Sequence, residues 1–205
     1  MLWNSFPLKA VIFDLDGTLY ISPYNWRWMK DRLGVKDGLI LDHLYSLEEP
    51  ERTRKFQLLD EMEESAIEKG KIAEGALKLL NYLKKNGIKT GVLTNNSRRL
   101  AEKVLSNIPF DFDALITRDD GVYKPYPGAM ETILKLLEVK PEETIYVGDN
   151  LLDIKAAEPF PLKATFIIND SEELREKFKS RVIFVSEIGE IIGFLDGKIN
   201  NRGGK

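Results

Sequence analysis

Short apolar runs alternate with amphipathic stretches along this chain, and that alternation constrains the fold more than any other feature. Residues 9–14, 88–94, 113–117, 144–148, 164–168 and 182–185 read as buried strands. Between them the spacing predicts a helix over about 74–86, with Ala76, Leu79, Leu80 and Leu83 on one face and Asn86-Gly87 as its stop. Further helices are predicted over about 97–107, from Pro127 to about 138, from about 151 to Pro159, and before the last strand, where Ser171 is a candidate cap. Strands that alternate with helices imply a parallel sheet covered on both faces, a Rossmann-like α/β fold of three layers. Right-handed crossovers then bring the C-terminal end of every strand to one edge, where open α/β sheets bind ligands.

Residues 21–72 break this pattern. Trp26, Trp28, Met29 and Leu33 come first, later stretches mix apolar and charged residues at helical spacing, as in Phe56, Leu59, Glu63 and Ile67, and no strand-like run stands out. The expected organisation is therefore an α/β core, 1–20 and 73–205, interrupted by a small helical insertion, 21–72. For at least one of Trp26 and Trp28 the expectation is a place in the insertion's own hydrophobic core. The tail 200–205 is expected to be disordered.

Composition narrows the possible chemistry. A chain of 205 residues with 43% hydrophobic and 31% charged residues suits one globular domain with a modest insertion. A net charge of −3 offers no general attraction for nucleic acid or an anionic membrane. No Cys is present, which removes disulfides, thiolate catalysis and cysteine metal sites. His43 is the only histidine, and the expectation for it is a surface or packing place. The opening residues carry no secretory pattern and no run is long enough to span a bilayer, so a cytoplasmic place is expected. Abundant Lys and Glu with a single Gln lean toward a heat-adapted source.

The strand ends carry the polar residues. The first is followed by Asp14-Leu15-Asp16-Gly17-Thr18, the second by Thr94, Asn95 and Asn96, the third by a loop holding Lys124-Pro125-Tyr126-Pro127, and the fourth by Asp149 and Asp153. A calcium loop starting at Asp14 is excluded, because its fifth and twelfth positions would hold Thr18 and Asn25 instead of acidic ligands. Singly, each remaining group has an ordinary reading as a turn, a helix cap or a solvated lysine. On one edge they form a set. Asp14, Asp149 and Asp153 cannot all stay ionised in close company without a cation, and hard oxygen ligands beside phosphate favour Mg²⁺. The hydroxyl of Thr94, the ammonium of Lys124 and the backbone N–H groups of Gly17, Thr18 and Asn95 are candidate donors to phosphate oxygens.

Four such pieces in this order resemble the haloacid dehalogenase superfamily of phosphohydrolases, in particular the phosphoglycolate phosphatases and their kin. The resemblance covers residues 9–168, and the insertion 21–72 stands in the place of that superfamily's first cap. It implies Asp14 as the nucleophile that forms an aspartyl-phosphate, and Asp16 as acid and then base. It implies Mg²⁺ held by Asp14, Asp16 through its carbonyl, and Asp149, with Asp153 ligating through water or orienting its neighbours. Thr94 and Lys124 would hold the phosphoryl group. The implied activity is hydrolysis of a small phosphorylated metabolite by a monomer or homodimer. The alternatives are a phosphotransferase of the mutase type, or a non-catalytic relative that binds phosphate ligands. Asp16 speaks against dehalogenase chemistry, because dehalogenases lack an acid two residues after the nucleophile.

Overall fold

A computed structural model of the protein describes residues 7–197. It falls into two compact units, one built from residues up to Ile21 and from Ile72 onward, the other from Ser22–Lys71. The tail 200–205 lies outside the described residues.

The larger unit begins with β1 (Ala10–Phe13), every residue of which is buried. The chain leaves this unit after β2 (Tyr20–Ile21) and returns through β3 (Lys71–Ile72), and these two short strands pair as a ribbon. No strand was expected here. Two residues are too few for alternation of apolar and polar positions to register.

The smaller unit consists of α1 (Trp26–Leu33), α2 (Ile40–Ser46) and α3 (Glu51–Ile67). Asn25 caps α1 by accepting the Trp28 N–H at 3.0 Å, and Gly34 closes it in a left-handed turn. The buried side chains here are Met29, Leu33, Leu41, Leu44, Leu59, Met62 and Ile67, among others. Trp26 and Trp28 are each 49% exposed, and Trp26 stacks on Tyr24. Neither indole is buried, which corrects the expectation that at least one of them would be. Met29 and Leu33, four residues apart, supply the inward face of α1 instead.

Back in the larger unit, α4 (Ala76–Lys85) buries Ala76, Leu79, Leu80 and Leu83. Then follow β4 (Lys89–Leu93), α5 (Arg98–Leu105), β5 (Ala114–Ile116) and α6 (Pro127–Leu137). The second half runs β6 (Thr144–Gly148), α7 (Leu151–Ala157), β7 (Ala164–Ile168), α8 (Glu172–Phe178), β8 (Ile183–Val185) and α9 (Ile191–Leu195). Ser171 caps α8 by accepting the Leu174 N–H at 3.4 Å. The last helix, α9, is an element the sequence pattern had not suggested.

The six long strands form one parallel sheet in the order β5-β4-β1-β6-β7-β8. From β1 the chain builds outward through β4 and β5, then crosses back to add β6, β7 and β8 on the other side. The order therefore reverses around β1, and the crevice beyond the C-terminal ends of β4, β1 and β6 is the natural ligand position. Beneath it, Ile12, Leu93, Ile116 and Tyr146 of the strands pack on Met130, Ile133, Leu134 and Leu137 of α6. Burying each of the larger apolar side chains is worth roughly 1.5–3 kcal/mol, which keeps the strand ends at fixed positions.

Candidate active site

Asp14 follows β1 directly. Its N–H donates to the Val147 carbonyl at 2.8 Å, so the sheet ladder fixes its backbone, and the residue is only 5% exposed. The Lys124 ammonium lies 2.6 Å from Oδ1 of Asp14 and 2.6 Å from Oδ1 of Asp153. Lys124 comes from the loop after β5 and is itself buried.

Asp153 stands on α7 and is fully buried. Its Oδ1 accepts from Lys124 and, at 2.7 Å, from the Tyr146 hydroxyl. Its Oδ2 accepts the N–H groups of Asp149 at 3.0 Å and Asn150 at 3.1 Å. The first turn of α7 thus folds around this carboxylate as a capping box. A Cβ on Gly148 would lie 2.4 Å from Cγ of Asp153, so only glycine lets the strand come this close. Asp149 is positioned by two amides: Asn150 Nδ2 donates to its Oδ1 at 2.7 Å, and Asn169 Nδ2 donates to its carbonyl at 2.7 Å.

Carboxylate oxygens of Asp14, Asp149 and Asp153, one from each, lie within 4.8 Å of one another. If all three are ionised, the single ammonium of Lys124 leaves two negative charges uncompensated. A hard divalent cation fits both that charge and the oxygen donor set. The protonation behaviour has the same origin. Burial, then the charges of Asp153 and Asp149, hold the Asp14 carboxyl well above its ordinary range despite Lys124. Burial, then Asp153, pushes Asp149 up to about 7. Asp153 goes the other way: burial alone would raise it, but Lys124, the Tyr146 hydroxyl and backbone N–H groups together hold it below the usual value. Lys124 is raised although it is buried, because two carboxylates face it.

Asn96 donates to Oδ2 of Asp16 at 2.5 Å. Asn96 is in turn tied to the strand end, its N–H donating to the Thr94 hydroxyl oxygen at 3.1 Å. Asn95 grips Lys124 at the main chain: Asn95 Nδ2 donates to the Lys124 carbonyl at 3.0 Å, and the Lys124 N–H donates to Asn95 Oδ1 at 2.8 Å. Behind Asn95 sits Arg118, 2% exposed, whose Nη1 donates to the Asn95 carbonyl at 2.9 Å.

Asp14, Lys124, Asp149 and Asp153 therefore meet at one place, with Asp16 bonded to Asn96 and Thr94 buried at the end of β4. Gly17 and Thr18 differ from the sequence reading. The Gly17 N–H donates to the Tyr20 carbonyl at 2.8 Å, and the Thr18 N–H points at the Leu15 carbonyl at 3.4 Å, so both serve their own turn. Gly17 matters through its missing side chain: its φ is +83°, and a Cβ there would lie 2.2 Å from Oδ2 of Asp149. Three residues of this network, Asn96, Arg118 and Tyr146, carried no assigned part in the sequence reading. Tyr146 lies in an apolar strand and passes for core, and Arg118 in a polar loop passes for surface.

Two surface concavities, of about 530 and 500 Å³, lie beside Ala73 and Gly189 and between Ala157 and Val182. Neither is lined by the acidic cluster. Among the described residues, no helix is long and apolar enough to cross a membrane.

Residues 24–160 match the profile of a protein family described as haloacid dehalogenase-like hydrolase, a span that includes Thr94, Lys124, Asp149 and Asp153. An uncharacterized hydrolase of Saccharomyces cerevisiae is 31% identical over 158 residues, covering 73% of this chain and 72% of that one. The pyrophosphatase PpaX of Bacillus mycoides is 30% identical over 169 residues, covering 72% of this chain and 77% of its own. Among solved structures, a hydrolase from Pseudomonas syringae superposes with a TM-score of 0.77 at 21% identity, covering 94% of this chain and 100% of that one.

Proposed function

The chain belongs to the haloacid dehalogenase-like hydrolase family, and from that premise we propose that it is a Mg²⁺-dependent phosphatase that hydrolyses a small phosphomonoester through an aspartyl-phosphate. One observation carries the reading: Asp14, buried at the C-terminal end of β1, shares the Lys124 ammonium with Asp153 while Asp149 stands within metal-sharing distance.

Asp14 attacks phosphorus as the P–O bond to the leaving group breaks, and Asp16 gives its proton to the departing oxygen. Asp16 then takes a proton from the water that attacks the aspartyl-phosphate. Phosphate leaves and the Asp14 carboxylate is restored. Asn96, bonded to Asp16, restrains that carboxyl. Lys124 and Thr94 hold the phosphoryl oxygens, and the Asn95 N–H is a further candidate donor. Mg²⁺, when bound by Asp14, Asp149 and the Asp16 carbonyl, offsets negative charge on the transferring group. Asp153 has each oxygen held by two donors, which supports a part in orienting Lys124 more than direct ligation. Substrate choice we assign to the helical unit Ser22–Lys71.

The test is phosphate release from a panel of sugar phosphates, phosphoglycolate, nucleotides and p-nitrophenyl phosphate, with and without Mg²⁺. Inorganic pyrophosphate belongs in the panel because of the similarity to PpaX. Turnover that stops with a chelator and returns with Mg²⁺ supports the reading. No turnover on any member, or turnover indifferent to chelation, overturns it. Sugar-phosphate isomerisation outpacing hydrolysis would replace it with the phosphotransferase reading.

A further inference from the structure

We propose that Tyr146 is a positioning residue that fixes Lys124 between Asp14 and Asp153 by hydrogen-bonding Asp153. The inference rests on the function proposed above, which gives Asp14 and Lys124 their chemical parts.

Tyr146 sits in the middle of β6 with no exposed surface, packed in the apolar cluster of Ile12, Met130, Ile133 and Ala157. A hydroxyl in such a place is costly unless it is bonded. Phenylalanine would fill the same volume with no such cost, so the packing alone gives no reason for the oxygen. The hydroxyl reaches Oδ1 of Asp153 at 2.7 Å, and this is the same oxygen that takes the Lys124 ammonium at 2.6 Å.

The geometry explains what that shared oxygen does. Lysine carries its charge on a flexible four-carbon stem and needs a fixed anchor to hold one position. Asp153 is that anchor only if its carboxylate cannot turn. Two backbone N–H groups hold Oδ2, and Tyr146 provides the corresponding restraint on Oδ1. Lys124 then stays equally close to Asp153 and Asp14, at 2.6 Å from each. Among the described residues its third N–H has no partner, which leaves it for an oxygen of a bound anion. Without the hydroxyl, the Lys124 ammonium alone restrains Oδ1. The carboxylate turns toward the lysine, and the lysine is drawn away from Asp14.

The test is Tyr146→Phe in the full chain, read in two ways. The first is the ¹H–¹⁵N signal of the Lys124 ammonium in the metal-free protein, assigned by its loss in Lys124→Gln. A buried ammonium held by two carboxylates exchanges its protons slowly enough to be observed. The second is the kinetics of p-nitrophenyl phosphate hydrolysis with Mg²⁺. The proposal expects the ammonium signal to shift and broaden, and kcat to fall on the order of tenfold with KM changing much less, as when one hydrogen bond to a charged group is lost. A purely structural tyrosine would lower the melting temperature and leave the signal in place. An unmoved signal overturns the proposal whatever turnover does, and so does a moved signal with unchanged kcat in an active enzyme. If the parent protein hydrolyses nothing, the functional reading fails on that result, and the signal alone decides whether Tyr146 positions Lys124.

Discussion

Asn95 and Lys124 hold each other twice. The side-chain amide of Asn95 donates to the Lys124 carbonyl at 3.0 Å, and its oxygen accepts the Lys124 N–H at 2.8 Å. A reciprocal pair of this kind joins the end of β4 to the loop after β5, so two strand ends move as one piece. The ammonium is held at its other end by Asp14 and Asp153. Lys124 is thus fixed at both ends of its side chain, as its proposed contact with a phosphoryl oxygen would require.

Asn95→Ala removes both bonds and leaves the Lys124 main chain without these partners. At about 1 kcal/mol for each ordinary hydrogen bond, stability should fall by roughly 2 kcal/mol, a drop of about 4–8 °C in melting temperature for a domain of this size. Turnover should fall more than tenfold, because the lysine loses its fixed origin. A thermal melt and steady-state kinetics check both, and unchanged kinetics would mean that the pair serves only the loop.

Asp14→Asn should reduce turnover to the background of the assay while leaving the fold intact. Burial and the neighbouring acids already disfavour the charged form of Asp14. An amide of the same size keeps an oxygen that can accept from the Lys124 ammonium, so the fold should survive the change. Circular dichroism and a melt establish the fold, and phosphate release establishes the loss. Retained activity would remove Asp14 as the nucleophile.

The pH dependence follows from Asp149, whose carboxyl is pushed up from 3.8 to about 7 by burial and by Asp153. The folded state holds that proton more tightly than the unfolded chain does. Its contribution to stability is fully present below the unfolded value and is lost as pH rises through about 7. Metal-free protein should therefore melt at a lower temperature at about pH 8 than at about pH 5.5. Mg²⁺, which competes with the proton, should raise the melting temperature more at the higher pH. A stabilisation by Mg²⁺ that is the same at both would mean that Asp149 does not share the ion.

Gly17→Ala should be damaging out of proportion to one methyl group. The backbone there has φ of +83°, and the new Cβ would fall 2.2 Å from an Asp149 oxygen. The conformational strain alone costs on the order of 1 kcal/mol, and Asp149 must also move. The expected outcome is a lower melting temperature together with weaker Mg²⁺ binding, measured by melting and by metal titration of activity.

The α/β core was legible because its signals are local. Runs such as Ala10-Val11-Ile12-Phe13 followed by polar residues mark buried parallel strands, and Pro127 and Ser171 mark helix starts within one turn of where they act. The acidic and basic residues at the strand ends were legible for the same reason, since each sits beside its own strand. Tyr146 was not legible. Its hydroxyl meets an aspartate on the following helix, and nothing about a tyrosine in an apolar strand distinguishes a bonded oxygen from one at the surface. Trp26 and Trp28 depart from the expectation because large apolar residues suggest a core, whereas the inward face of α1 is carried by Met29 and Leu33.

By itself the sequence determined the six strands of the sheet, the helices between them and which residues stand at the strand ends, because hydrophobic period and turn chemistry act over a few residues. Only the tertiary structure decided how those residues share their charges. Asp153 and Asp149 lie four positions apart on one turn, yet one is held below the ordinary carboxylate range and the other above it. The difference is a lysine and a tyrosine brought to Asp153 by the packing of separate strands, and no local pattern encodes which acid they will reach.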